Sequence, residues 1–128
     1  MSQERRAPEP IAQSLMRFLA AAGTLACGAA VGMGAYAMHS GLTSQTHQRM
    51  GMAAVFLFAH GLSLAALAPG NRSRVQRAGL GVLFVGTVLF AGSLAFAAVL
   101  GTEPVLAPYG GSLLILGWLM MAAGFLFG

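Results

Sequence analysis

Charged side chains are scarce in this chain, and two of the four residue types whose side chains are charged at pH 7 are missing. The 128 residues include seven arginines and three glutamates, but no lysine and no aspartate. Charged residues make up 8% of the sequence, whereas soluble domains typically contain roughly 25%. Hydrophobic residues make up 57%. A soluble fold of this size needs a charged surface around its core, so the composition excludes an ordinary soluble domain and indicates a membrane protein.

Other absences exclude several classes of function. A single cysteine, Cys27, cannot form an internal disulfide. Proton-coupled exchange of cations would need a carboxylate within the membrane, but Glu4, Glu9 and Glu103 all lie outside the apolar segments. No CxxC, HExxH or Gly-rich phosphate loop is present, so we expect no enzymatic activity, no cofactor and no metal site. The arginines border apolar segments instead of alternating with aromatic residues, so we expect no binding of nucleic acid.

Four long apolar segments dominate the rest of the chain. They extend over residues 17–38, 49–68, 78–100 and 109–127, and each approaches or exceeds the ~20 residues that a spanning helix needs. The connections between them contain the Gly, Pro, Asn and Ser residues that commonly end helices. The sequence therefore predicts an all-α fold: an integral membrane four-helix bundle over residues 17–128, which follows an amino-terminal tail of residues 1–16.

The distribution of arginine predicts the orientation of this bundle. Only Arg49 lies at the end of the bundle that holds the first and third connections. The other six lie at the opposite end: Arg5, Arg6, Arg17, Arg72, Arg74 and Arg77. Arginine is enriched in the cytoplasmic connections of membrane proteins. We therefore expect both termini to be cytoplasmic and the protein to be multi-pass.

The first segment has one alternative interpretation. A basic start, an apolar stretch and the sequence Ala35-Tyr36-Ala37 are also typical of a cleavable signal peptide, whose removal would leave three helices. The apolar stretch from Phe18 to Met38 is, however, longer than the usual ~7–15 residues of a signal peptide. The length favours a retained first helix.

Regularly spaced small residues predict how the helices pack. Between helices in lipid, close backbone approach through small residues drives association. The first segment has the pair Gly28 and Gly32 beside a second row of small residues from Ala22 to Gly34. The fourth segment has glycines at seven-residue spacing: Gly110, Gly117 and Gly124. We expect these positions to pack helices within the chain, or one face of the first helix to contact a partner or a second copy.

His60 is an ionisable residue near the middle of the second apolar segment. One interpretation is a neutral imidazole hydrogen-bonded between helices, to Thr87 or to a carbonyl near Gly61. The other is a functional site: a proton relay, a ligand contact or a cofactor ligand. Trp118 lies at a similar depth, and its N–H needs an acceptor there. His39 lies at the outer edge of the bundle, too far in depth from His60 for the two histidines to share a haem.

Three stretches of the sequence resemble a known family. They are GAYAMHSGL at residues 34–42, FLFAHGLSLAAL at residues 56–67, and the carboxyl-terminal pair AGSLAFAAVLG and APYGGSLLILGWLMMAAG. Together they resemble the small bacterial inner-membrane family known as domain of unknown function 423, which is related to eukaryotic transmembrane protein 256. The resemblance extends from about Gly23 onward. It implies a location in the bacterial inner membrane and emphasises His39 and His60, but it implies no activity.

The sequence thus favours a non-enzymatic accessory or assembly partner, held in the lipid bilayer and packed through its small-residue helix faces. Its partner would be a larger membrane complex or a second copy of the chain. The alternative is a small oligomeric channel or transporter with His60 at a constriction near the midplane of the membrane.

Overall fold

The computed structural model of the protein describes residues 10–39, 41–70 and 72–128. It contains four α-helices: α1 (Pro10–Ala37), α2 (Ser44–Leu67), α3 (Arg74–Leu100) and α4 (Ala107–Phe127). All four are long and apolar enough to cross a membrane. The prediction of an all-α four-helix bundle is confirmed, with helices long and apolar enough to span a membrane. Each helix begins earlier than the apolar segment it contains (17–38, 49–68, 78–100 and 109–127), and α1 begins at Pro10, within the residues 1–16 that the sequence assigns to a tail.

The helices begin early because polar turns extend them beyond their apolar parts. Pro10 is the first residue of α1, a position where proline fits because the missing N–H would have no helical partner. The Thr43 side chain accepts a hydrogen bond from the Thr46 amide and so caps α2. Ser73 and Gln76 form a reciprocal capping box at the start of α3. Such caps satisfy the free backbone N–H groups at the start of a helix. The apolar composition of a segment does not show where these caps lie.

Consecutive helices pack side by side. Helix α1 packs against α2, α2 against α3, and α3 against α4, with a smaller contact between α1 and α3. Within the described residues, α1 and α4 do not pack directly against each other. The contact between α1 and α3 includes an edge-to-face pair of Phe18 and Phe84, whose ring centroids are 5.7 Å apart. The bundle therefore consists of two helical hairpins, α1–α2 and α3–α4, joined mainly where α2 meets α3.

Glycines bring α3 and α4 close together. The three regularly spaced glycines of α4 face large residues of α3: Gly110 faces Phe90, Gly117 faces Leu83 and Gly124 faces Gln76. A Cβ atom at Gly117 would lie 2.7 Å from the Leu83 Cγ. Helix α3 also contributes two glycines to this contact, Gly79 and Gly86, which lie against the backbone of α4. The structure thus places the α4 glycines in a helix contact, as their spacing predicts.

A different glycine pair brings α1 and α2 together. A Cβ atom at Gly61 would lie 2.7 Å from the carbonyl oxygen of Gly23, so the two backbones nearly touch. By contrast, no heavy atom lies within 4 Å of a Cβ built on Gly28 or Gly32. Within the described residues, Gly28 and Gly32 therefore make no contact with another helix of the chain, and the alternative, a contact with a partner or a second copy, stays a prediction. Both lie on the outer face of α1, since Gly23 and the buried Ala30 occupy the inner face.

Arg49, the one arginine predicted to lie at the outer end, has partners within the chain. Its Nη1 donates a hydrogen bond of 2.8 Å to the Thr102 carbonyl, and its Nη2 lies 3.2 Å from the Glu103 Oε2. These contacts join the first turns of α2 to the connection between α3 and α4. The arginine at this end is thus partly neutralised by Glu103.

Candidate functional site

His60 is buried within the bundle, and only 8% of its surface is exposed. Its Nδ1 lies 2.8 Å from the carbonyl oxygen of Phe56, one turn earlier in α2. A carbonyl oxygen can only accept a hydrogen bond, so Nδ1 carries the proton in this contact. Donation to a carbonyl of its own helix fixes the orientation of the imidazole ring and directs Nε2 away from α2.

Trp118 of α4 supplies the second hydrogen bond. Its indole Nε1–H donates to the His60 Nε2 over 3.2 Å. An indole nitrogen can only donate, so Nε2 must present its lone pair. The two bonds together specify a neutral imidazole with its single proton on Nδ1. A proton on Nε2 would face the indole N–H and break the bond, so this arrangement suits a fixed link between helices better than a proton relay.

Aromatic rings surround this pair of side chains. The His60 ring stacks on Phe56 with 5.7 Å between centroids and 14° between planes. Phe56 in turn lies 4.6 Å from the Phe90 ring of α3. The His60 and Trp118 rings have centroids 6.0 Å apart. The cluster therefore includes side chains from α2, α3 and α4, and its apolar walls shield a hydrogen bond that water would otherwise weaken.

The sequence-based partners proposed for His60 are wrong. The buried Thr87 hydroxyl donates to the carbonyl oxygen of Leu83 at 2.7 Å, within α3. Threonine in an apolar helix commonly satisfies its hydroxyl in this way, so it does not need a second helix. The backbone of α1 at Gly23 packs directly against Gly61. The hydrogen bond of His60 within α2 goes instead to the carbonyl oxygen of Phe56. The sequence indicates that Trp118 and His60 lie at one depth and that each needs a hydrogen-bond partner there, but it does not indicate that they pair with each other.

His39 lies apart from this cluster, at the end of α1, and its side chain is exposed. Its Nδ1 lies 3.2 Å from the carbonyl oxygen of Ala35. His47 of α2 contacts the Ala37 carbonyl in the same region. The last carbonyls of a helix have no partner within the helix, so both histidines are suited to closing the end of α1. Among the described residues, no group of three or more His, Cys, Asp or Glu side chains could hold a metal ion.

Comparison with known proteins identifies the family. Residues 32–111 match the family described as "Protein of unknown function (DUF423)", and the chain belongs to this family. No curated protein and no solved structure matches the chain. The match includes His39 and His60, but it begins after Gly23, where the resemblance was expected to start, and ends before Trp118. The acceptor of the interhelical hydrogen bond thus lies inside the matched segment and its donor outside.

Proposed function

We propose that this member of the DUF423 family is a non-enzymatic accessory protein of the bacterial inner membrane. In this proposal both termini are cytoplasmic, as the arginine distribution favours. The protein associates with a larger membrane protein through the outer face of α1. The partner element is a transmembrane helix of that protein, because the surface at this level must be apolar and must satisfy its backbone internally.

The observation that carries this proposal is the open space at Gly28 and Gly32. They lie four residues apart on one helix face, and both are exposed. Two glycines at this spacing allow the backbone of another helix to approach closely, which is a main source of affinity between helices in lipid. The corresponding glycines of α4 are already occupied by side chains of α3. The pair in α1 is therefore an unused contact of the same kind.

The surface around Gly32 has a shape that suits a helix. A shallow groove of about 440 Å³ lies beside it, lined by Met33 and Tyr36 of α1, Met50 of α2 and Val99 of α3. Methionine side chains adapt easily to different partners. A docked helix would thus contact the two glycines and would also reach α2 and α3. The alternative function, a channel with its constriction at His60, has less support because both imidazole nitrogens are hydrogen-bonded within the bundle.

Co-purification in mild detergent, after chemical crosslinking in the membrane, tests this proposal. The double variant Gly28→Leu, Gly32→Leu should lose the partner while keeping the melting temperature of the wild type, because neither position contacts another helix. Gly81→Leu is the matched control, since its surroundings in α3 are also open, and it should keep the partner. Retention of the partner by the double variant would contradict the proposal. Loss of self-association instead, measured with two differently tagged copies, would assign the face to a homodimer.

A further inference from the structure

Three arginines surround a cavity at the end of the bundle where α1 begins and α2 connects to α3. The cavity has a volume of about 450 Å³. Arg17 of α1, Arg72 of the connection and Arg77 of α3 all line it, together with Gln13. The described residues that line it include no carboxylate. Glu103 contacts Arg49 at the opposite end of the bundle. The lining that the structure describes is therefore strongly basic.

The inner wall of the same cavity is apolar. Met16 and Ala20 of α1 and Ala68 at the end of α2 line it, and Met16 and Ala68 also belong to the largest hydrophobic core cluster. A free anion would gain nothing from these side chains. An amphipathic molecule would place its charged group among the arginines and its apolar part against this wall.

The lengths of the helices place the arginines at the level of lipid headgroups. From Arg17 to Ala37, α1 is about 30 Å long at ~1.5 Å per residue, which equals the thickness of the hydrocarbon core of a bilayer. When Ala37, the last residue of α1, is set at one boundary of that core, Arg17 falls at the other. Arg77 lies in the first turn of α3, so the two guanidinium groups approach the headgroup region from different helices.

Arg72 is held in place by contacts that leave part of its guanidinium group available. Its Nε donates to the Leu67 carbonyl at 2.8 Å, which caps the end of α2. The guanidinium carbon also lies 5.9 Å from the centroid of the Phe125 ring. Within the described residues, its two terminal nitrogens make no hydrogen bond. Guanidinium groups bind phosphate through two parallel hydrogen bonds, and a guanidinium that is already oriented loses less entropy when it binds.

We propose that this cavity binds the phosphate group of an anionic phospholipid, with the acyl chain along Met16 and Ala20. Basic pockets between transmembrane helices are suited to such headgroups. The shared chemistry is a phosphate among three arginines, and the apolar wall assigns the phosphate to a lipid and not to a free ion. This inference concerns the opposite part of α1 from the partner face at Gly28 and Gly32, and its test requires no partner.

Native mass spectrometry of the full chain, delipidated in mild detergent, tests the proposal. Phosphatidylglycerol should bind with about one-to-one stoichiometry and more tightly than phosphatidylcholine. Arg17→Gln and Arg77→Gln should each weaken its binding by about fivefold, as expected for the loss of one arginine near a lipid phosphate. Arg74→Gln removes the same charge at the same end of the bundle but does not line the cavity, so it should change the affinity by less than about twofold.

Two further measurements separate the possible outcomes. Arg17→Lys, which keeps the charge, should restore most of the affinity, and the melting temperature of each variant shows whether it has folded. Inorganic phosphate and glycerol phosphate, added at the concentration of the lipid, should not displace phosphatidylglycerol. The proposed site would be overturned if Arg74→Gln weakened binding as much as Arg17→Gln and Arg77→Gln do. Equal binding of phosphatidylcholine and phosphatidylglycerol would also overturn it. Displacement by inorganic phosphate would overturn its assignment to a lipid.

Discussion

Breaking the hydrogen bond between His60 and Trp118 from each side should reveal how much it stabilises the bundle. Trp118→Phe keeps an aromatic ring on α4 but removes the indole N–H that donates to the His60 Nε2. His60→Leu removes the acceptor. Hydrogen bonds between membrane helices average about 0.6 kcal/mol and reach about 1.7 kcal/mol. Because His60 is only 8% exposed and lies among aromatic rings, we expect a coupling energy of about 1 kcal/mol, above the average.

The assay is a double-mutant cycle. Unfolding in detergent micelles is followed by circular dichroism for the wild type, His60→Leu, Trp118→Phe and the double variant. A second cycle, with Thr87→Val in place of Trp118→Phe, is the control, because the Thr87 hydroxyl donates within its own helix. The second coupling energy should be close to zero. A first coupling energy near zero, or two equal values, would refute the assignment of Trp118 as the partner.

The variant His60→Gln tests whether function requires a titratable proton at this position. Glutamine keeps a donor and an acceptor but has no titratable proton near neutrality. If His60 is a fixed link between helices, the variant should keep close to wild-type stability and should complement a deletion strain. A variant that melts normally but fails to complement would instead support a proton relay or a ligand site at His60.

Two further predictions concern packing and topology. Gly117→Leu should lower the free energy of unfolding in detergent by about 1–3 kcal/mol through overpacking, because its Cβ would collide with α3, whereas Gly81→Leu, which has open space around it, should change it by less than about 0.5 kcal/mol. Equal effects would contradict the glycine contact. Reporter fusions at Arg74 and after Gly128 should both be cytoplasmic, and one at Thr43 should be periplasmic; opposite locations for the first two would mean that a helix fails to span.

Much of the fold could be predicted from composition, because each apolar segment is long and its ends are marked by polar residues. The starts of the helices were predicted less well. Apolar composition detects the part of a helix that lies in lipid, whereas the polar first turns of α1 and α2 continue the same hydrogen bonding outside it. Capping residues give a better signal. Ser73 and Gln76 have the spacing of a capping box, and together they mark the start of α3.

The helix contacts were only partly predictable. Gly110 and Gly117 could be assigned to a contact because a seven-residue spacing keeps them on one face. Gly79 and Gly86 of α3 have the same spacing and pack against α4, so the sequence contains the same signal for α3. Gly28 and Gly32 have an equally good pattern and yet face outward. Spacing shows which residues share a face but not which face is turned toward the bundle.

The hydrogen bond at His60 could not be predicted for the same reason: the sequence does not show which face of a helix is turned toward its neighbours. Counting residues along the helices correctly placed His60 and Trp118 at one depth. Depth alone could not select Trp118 over Thr87, because the choice depends on how far each helix is rotated about its axis. That rotation is set by the glycine contact between α3 and α4, which turns Leu83 toward Gly117 and so directs the neighbouring Trp118 toward α2.

The arrangement of the two close-packed helix pairs has a consequence for how the protein is made. Each pair, α1–α2 and α3–α4, consists of consecutive helices that meet through glycine within a short sequence distance. Such local contacts form quickly because little chain must be ordered to bring them together. Each hairpin can therefore assemble as it leaves the translocation machinery, the first before the second has been synthesised. The hydrogen bond from Trp118 to His60 then forms late, when the second hairpin docks beside the first, and it would report the completion of assembly.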